Sequence, residues 1–160
     1  MFRISTHGRY ALRMMADIAE QTSNHPHAAN HPHAAGQTNN SEEQIKIPTL
    51  PGISKQQEIP KKYLEQIAIQ LIKADLLKGT RGHNGGYRLT KPAEEIRVID
   101  VLIAVETSMT VVGCLKETPI GCPRKEQCKT LPLWTGLQKE IIDYLSMVTL
   151  QDIVDGTVPE

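Results

Sequence analysis

The chain has 160 residues, no net formal charge, and only one Phe and one Trp. This length suits one full domain, or a small domain with an attached dimerisation segment, and the scarcity of aromatic residues predicts an aliphatic core. No apolar run approaches the roughly 20 residues of a membrane span, and the amino terminus lacks the apolar stretch of a signal peptide. We therefore expect a cytoplasmic protein without a membrane partner.

Charge is distributed unevenly along the chain. Residues 1–91 hold 12 Lys and Arg against 7 Asp and Glu, a net of +5, whereas residues 92–160 hold 6 against 11, a net of −5. A basic half indicates contact with a polyanion, although scattered solvated charges give the same count. The sequence is accordingly divided into domains of residues 1–91 and 92–160.

A first helix is predicted up to about Gln21, because apolar residues recur at helical spacing from Tyr10 onward. Residues 22–46 are rich in Asn, His, Pro, Ser, Gly and Gln, a composition that predicts a flexible His-rich insertion. The insertion contains a tandem hexapeptide over residues 24–29 and 30–35. Its His-Pro-His pairs suit nickel, copper or zinc, and a duplicated insertion without function explains the repeat equally well.

A short element over residues 47–59 precedes a clearer helix, predicted from Pro60 to about Leu77 with Gly79 at its end. Two short strands then flank a glycine-rich turn over residues 82–86, which requires positive backbone dihedrals. The order of helix, short helix, helix and hairpin is typical of a winged helix-turn-helix, in which the third element enters the major groove and the hairpin lies against the backbone.

Polar residues on this helix and hairpin are the predicted DNA contacts. The basic ones supply charge for phosphate oxygens. Glu65 either accepts a hydrogen bond from a cytosine amino group or disfavours wrong sites, and the ring of Tyr63 suits the core equally well. The predicted DNA-contacting residues are Lys61, Lys62, Tyr63, Glu65, Gln66, Arg81, His83 and Arg88.

The carboxy-terminal half contains a helix after Pro92, a loop over residues 108–130, and a longer helix opened by Pro132. Apolar residues of the longer helix alternate at spacings of three and four, which predicts a dimerisation seam, with packing inside the same chain as the alternative. Thr149 and Asp152 predict a cap for a last short helix that ends before Gly156. The predicted dimerisation residues are Trp134, Leu137, Ile141, Tyr144 and Val148.

All three cysteines of the chain lie in the loop over residues 108–130. Cys114, Cys122 and Cys128 are separated by seven and then five residues, in a stretch broken by Gly and Pro. Thiolates on a flexible loop can converge on one iron–sulfur cluster or one zinc ion. Neighbouring Lys and Arg residues favour the thiolate form. The pattern therefore predicts a soft-metal site, with structural thiols as the alternative.

Several motifs together resemble the IscR, NsrR and RirA family of bacterial winged-helix regulators. They are Arg9-Tyr10-Ala11-Leu12-Arg13, Tyr63-Leu64-Glu65-Gln66-Ile67, Arg81-Gly82 through Gly85-Gly86-Tyr87-Arg88-Leu89, the three-cysteine loop, and Leu133-Trp134. The resemblance implies a homodimer that binds DNA, commonly as a repressor. It also implies an iron–sulfur cluster that reports iron, cluster supply, nitric oxide or redox state, with Cys114, Cys122 and Cys128 as its ligands.

The fourth cluster ligand departs from the family pattern. Leu131 stands where IscR-like members have a histidine, and Arg9 stands where NsrR-like members have an acidic residue. His7 of the partner subunit is a candidate fourth ligand, and a histidine in this position is equally typical of a surface close to DNA.

The sequence thus predicts a mainly α (α+β) fold, a winged helix-turn-helix with a long carboxy-terminal dimerisation helix. The predicted function is a homodimeric transcription regulator, expected to be a repressor, that binds a palindromic operator under control of a 2Fe-2S or 4Fe-4S cluster. One alternative replaces the cluster with zinc or reversible thiol oxidation. Another is a metal-handling or interaction protein that uses the His-rich repeat. An enzyme with a small-molecule substrate is not expected, because the sequence has no phosphate loop, no nucleophile with a placed base and no paired carboxylates.

Overall fold

The computed structural model describes residues 3–23, 47–82, 85–116 and 122–159, which form six α-helices and one two-stranded sheet. The sequence therefore folds as a mainly helical chain, as predicted. Across the described ranges, no helix is both long and apolar enough to cross a membrane. The tandem hexapeptide with its His-Pro-His pairs, and with it the metal-handling alternative, lies outside the described residues.

Helix α1 spans Thr6–Ser23 and supplies one wall of the core. It begins earlier than the apolar pattern and continues through Thr22 and Ser23, which the sequence assigned to the insertion. Met14, Met15 and Ile18 of the predicted apolar face are fully buried, whereas Tyr10 and Leu12 of that face are only partly buried.

Helices α2, Leu50–Gln57, and α3, Lys61–Lys73, follow. The prediction that α3 continues to Leu77 and closes at Gly79 is wrong. Asp75 takes a left-handed backbone, with φ of 55°, and the amides of Asp75 and Leu76 donate to the carbonyls of Ile72 and Leu71. These two bonds form a Schellman motif, which satisfies the last carbonyls of the helix and stops it. Gly79 instead lies within a strand.

The hairpin consists of β1, Leu77–Thr80, and β2, Gly86–Leu89, paired antiparallel with Leu77 opposite Leu89. Gly82 has φ of 117°, which confirms the positive dihedral expected in the turn. The amide of Tyr87 donates to the carbonyl of Pro48 at 2.8 Å, and a Cβ on Gly86 would lie 2.5 Å from that same oxygen. The hairpin is therefore anchored to the segment before α2, and α1 to β2 form a winged helix-turn-helix.

The main apolar core crosses residue 91, where the sequence was divided. Helix α4, Val98–Val105, and helix α6, Leu150–Asp155, both pack against α1. The residues beyond position 91 that share the core of α1 and α3 are Ala93, Ile96, Val101, Val105 and Leu150. The core is aliphatic, as the composition predicted. The charge boundary is therefore not a packing boundary.

Helix α5 spans Leu131–Met147 and contains no fully buried residue. Val148, predicted as its last dimerisation residue, lies just after the helix and is buried against Val98 and Leu102. Its carbonyl accepts the amide of Val98 at 2.9 Å, so Val148 belongs to the core of its own chain and not to a dimer seam. The predicted cap of α6 is confirmed, because Thr149 and Asp152 form a capping box.

Candidate nucleic-acid interface and cysteine loop

The five residues predicted as DNA contacts on the third helix all lie on the exposed face of α3. Lys61, Lys62, Tyr63, Glu65 and Gln66 are exposed, while the intervening apolar residues face the core. Glu65 forms an ion pair with Lys61, with 3.4 Å between Lys61 Nζ and Glu65 Oε1. This pair reduces the repulsion that an isolated carboxylate would exert on phosphate, although an exposed pair contributes little to stability.

His7, at the start of α1, lies beside the polar face of α3. Its ring Nε2 is 3.4 Å from Oε1 of Gln66, and its ring centroid is 5.3 Å from that of Tyr63 in an edge-on arrangement. Tyr63 also packs edge-on against Tyr10 and stays 40% exposed. The geometry of Tyr63 therefore allows both roles considered for it, because its ring packs against other rings while part of the side chain stays accessible.

The hairpin adds basic side chains next to α3. A groove of about 870 Å³ runs between the start of α2, α3 and β1, with Lys61, Lys78, Arg81 and Tyr87 among its lining residues. Arg88 is exposed on β2, and His83 lies outside the described residues. The groove thus brings cations of α3 and of the hairpin onto one surface, together with the carboxylates of Glu65 and Asp75, and its basic side chains are of the type that contacts phosphate.

The three cysteines lie between α4 and α5, and none is in a disulfide. Cys114 is exposed on a 3-10 turn over Gly113–Leu115, while Cys122 and Cys128 are half-buried. Cys128 Sγ is 3.4 Å from Thr130 Oγ1, and hydrogen bonds from the side chain and backbone of Thr130 lower the pKa of this thiol, with a smaller contribution from Arg124. This position therefore favours the thiolate.

The residues of this loop fit a soft metal group by their chemistry. Thiols that are not in a disulfide are the donors that iron–sulfur clusters and zinc take in proteins. Over the described parts of the chain, no three His, Cys, Asp or Glu side chains are already grouped to hold a metal ion.

Two polar residues near the cysteine loop were not predicted from the sequence. Each of them connects a segment close to the loop with a helix. Gln138 on α5 accepts the amide of Val111 at 2.8 Å and donates to the carbonyl of Met109 at 2.9 Å. Glu106 follows α4 and accepts the amide of Ser5 at 2.8 Å. Their partners lie 27 to 101 residues away in the chain, and no local pattern signals such contacts.

Apolar side chains of α5 remain exposed in the single chain. Leu133 is 63% exposed and Met147 is 65% exposed, with Leu137 and Tyr144 also exposed. Trp134 and Ile141 are half-buried. Four of the five predicted dimerisation residues thus lie on a helix that its own chain covers only in part.

Known proteins similar to this chain are regulators of transcription. The HTH-type transcriptional regulator IscR of Photorhabdus laumondii is 33% identical over 154 residues, which cover 96% of this chain and 80% of that protein. Among solved structures, CymR, the global cysteine regulator of B. subtilis, is 27% identical with a TM-score of 0.65, covering 97% of this chain and 98% of CymR. The oxidized form of Staphylococcus aureus CymR is 27% identical with a TM-score of 0.61, covering 96% of each chain.

A family model described as an iron-dependent transcriptional regulator matches residues 37–156. That range includes α2, α3, the hairpin, the cysteine loop and α5. With this match and a relative one-third identical over almost the whole chain, the chain belongs to the Rrf2 family of transcriptional regulators, which are not enzymes.

Proposed function

We propose that this regulator is a homodimer that binds a palindromic operator and that an iron–sulfur cluster controls its DNA affinity. Residues 1–91 carry the DNA interface, and residues 92–160 carry the cysteine loop and the dimer helix, around one shared core. Helix α3 enters the major groove, and the hairpin contacts the backbone through Arg81 and Arg88. Operator contacts by His83 belong to the same proposal.

One observation carries the cluster assignment: three unpaired thiols lie on one loop between a core helix and a partly uncovered helix. Cys114, Cys122 and Cys128 would hold the cluster, and His7 of the partner subunit is the candidate fourth ligand. When bound, the group supplies a thiolate-ligated centre of two or four irons that responds to redox state and iron supply. The name of the IscR relatives and the iron-dependent description of the family support this choice.

The contacts at the two ends of the cysteine loop suggest how a change in the loop would alter DNA binding. Gln138 fixes the segment of Met109 to Val111 on α5, and Cys128 lies three residues before α5 begins. A rearrangement of the loop therefore acts on α5 directly. Because two α3 helices must match two half-sites, a change in how α5 pairs alters operator affinity. A coupling of about 1 to 3 kcal/mol changes that affinity about 5- to 150-fold.

The decisive experiment is an absorption spectrum with iron, acid-labile sulfide and zinc analysis on protein purified without oxygen. A cluster predicts thiolate-to-iron absorption in the visible, with iron and sulfide in comparable amounts. Colourless protein that contains zinc, or no metal, contradicts the cluster.

The ligand assignment is tested with Cys122→Ser. This variant is expected to lose the cluster and to remain a dimer, because Cys122 lies outside α5. Ser108→Ala is the control, since Ser108 lies before the cysteines and its hydroxyl bonds to the neighbouring Thr110. A Cys122→Ser protein that dissociates instead shows that the cysteines hold the dimer together.

A second candidate is the same regulator switched by thiol oxidation or by zinc. The lowered pKa of Cys128 favours it, because the thiolate is the form that oxidants and zinc react with. The similarity to an oxidized form of CymR supports it as well. In this case the purified protein is expected to be free of iron. Mild peroxide is expected to change the operator affinity of the wild-type protein and to leave that of Cys128→Ser unchanged.

A further inference from the structure

The first turn of α1 has an incomplete local cap. Ser5 is the N-cap residue, because its carbonyl accepts the amide of Arg9 at 3.1 Å and its hydroxyl accepts the amide of Gly8 at 3.1 Å. In a capping box, a Glu or Gln at the third helical position binds the backbone N–H of the N-cap residue in return. The third helical residue here is Gly8, which has no side chain to do so.

Glu106 occupies the place of that missing side chain. Its Oε1 accepts the amide of Ser5 at 2.8 Å across a sequence separation of 101 residues. Gly8 is buried, and a Cβ on it would collide with this same oxygen and would lie 3.1 Å from Leu102 Cδ2. The carboxylate also sits at the positive end of a helix of 18 residues. The cap of α1 is thus closed by the residue that follows α4.

The capped turn carries His7, which contacts α3 as Tyr10 does one turn later. His7 lies between Ser5 and Gly8, and its ring contacts Gln66 and Tyr63 on the exposed face of α3. A frayed first turn would release the ring from both partners. The position of His7 therefore depends on the Ser5 amide and on the carboxylate that holds it.

We infer that Glu106 is a positioning residue for DNA reading. It completes the capping box of α1 from a distance and thereby holds His7 against Gln66 and Tyr63. This inference rests on the proposed reading of DNA by α3. It also connects Glu106, which follows α4 and lies eight residues before Cys114, to the DNA-reading surface through the first turn of α1 within one chain.

The test compares Glu106→Ala with Glu106→Gln in the full-length protein. Both substitutions remove the same charge, and only glutamine keeps an oxygen that accepts the Ser5 amide. NMR spectra of histidine-labelled protein report the ring of His7, assigned with His7→Gln, through its proximity to the Tyr63 ring. We expect Glu106→Ala to move the His7 signals toward those of an exposed histidine and Glu106→Gln to keep them near wild type.

DNA affinity gives the second measurement. The probes are a duplex that the wild-type protein enriches from a random-sequence pool and an unselected duplex of equal length. Because one N-cap bond shifts the balance between ordered and frayed first turns by about tenfold, Glu106→Ala is expected to lose up to about tenfold in affinity for the selected duplex. Affinity for the unselected duplex is expected not to fall, because removing a negative charge does not weaken phosphate binding.

Other results would contradict either the role of Glu106 or the reading of DNA by α3. His7 signals that are identical in Glu106→Ala and wild type contradict the positioning role, and so does an equal loss of affinity for both duplexes. If the wild-type protein enriches no sequence, then reading by α3 fails and the role of Glu106 in it fails too. If the wild-type protein enriches a sequence and Glu106→Ala binds it equally well, only the role of Glu106 is wrong.

Discussion

At the scale of single residues, one buried carboxylate joins the first two helices. Asp17 is 2% exposed, and its two oxygens accept the side-chain amides of Gln21 at 2.8 Å and Gln57 at 2.9 Å. Gln57 in turn accepts a hydrogen bond from Arg13 Nε at 3.2 Å. The group is therefore satisfied by hydrogen bonds from α1 and α2, as a buried polar side chain requires.

Asp17→Ala is expected to lower the free energy of unfolding by about 1 to 3 kcal/mol, because it leaves two amide groups without their partner. Urea denaturation followed by circular dichroism measures this change. Glu20→Ala, at an exposed position of the same helix, is the control and is expected to change stability little. Equal midpoints for the two variants would show that the Asp17 network does not stabilise the fold.

The sequence predicted site residues only where local pattern was enough. The exposed polar face of α3 follows from helical spacing, so the sequence predicted that this face would be accessible. The roles of Asp17 and Glu106 depend on partners 40 and 101 residues away, which periodicity does not encode. His7 was assigned two alternative roles, and its contacts with Tyr63 and Gln66 of its own chain are further long-range contacts that periodicity does not encode.

At the scale of elements, the end of α3 shows why a helix boundary was misplaced. The apolar spacing continues through Leu76, and a glycine at 79 is a plausible stop by composition. The actual stop is Asp75, an aspartate in the left-handed conformation that glycine usually occupies. Burial of both Leu71 and Leu76 completes the motif and holds Asp75 there.

Asp75→Gly is therefore expected to raise the free energy of unfolding by about 0.5 to 1 kcal/mol, because glycine adopts a positive φ without steric cost. Thermal and urea denaturation both report the change. Lys73→Gly places the same residue two positions earlier, within the helix, and is expected to destabilise by about 1 kcal/mol. A loss of stability in both variants would rule out strain at Asp75.

The cap of α6 predicts a pH dependence. The hydroxyl and then the backbone N–H of Thr149 lower the pKa of Asp152 below the ordinary value of an aspartate. A lowered pKa means that the charged form stabilises the fold above the unfolded pKa, and that this contribution is lost as pH falls through the folded pKa. Asp152→Asn is thus expected to be less stable than wild type at pH 7, with the difference shrinking below about pH 4.

Urea midpoints from pH 7 to pH 3 measure this dependence. Asp155→Asn, which removes a carboxylate from the opposite end of α6, controls for the loss of charge from the same helix. A difference between wild type and Asp152→Asn that stays constant with pH would assign the stability of the cap to shape and not to charge.

At the scale of the whole molecule, the core buries apolar side chains within one chain, whereas α5 leaves apolar side chains that one chain does not bury. Helices α1, α4 and α6 bury their apolar faces against each other, so the chain folds around its own core. The sequence placed Val148 with the dimer seam because spacing cannot tell an internal contact from an external one. The leucines, tyrosine and methionine of α5 stay exposed in the single chain, and they are the surface on which the proposed dimer would pack.

Leu137→Glu is expected to convert the dimer to a monomer, because it places a charge among the apolar residues of α5 where Leu137 is 44% exposed in the single chain. Sedimentation equilibrium measures the mass. Since a palindrome is bound by two linked subunits, its affinity is expected to fall about 100-fold or more, while affinity for a single half-site stays unchanged. Lys139→Glu, at an exposed position of the same helix that pairs with Asp143, is the charge control and is expected to stay dimeric. A Leu137→Glu protein that keeps the dimer mass would place the subunit interface away from α5.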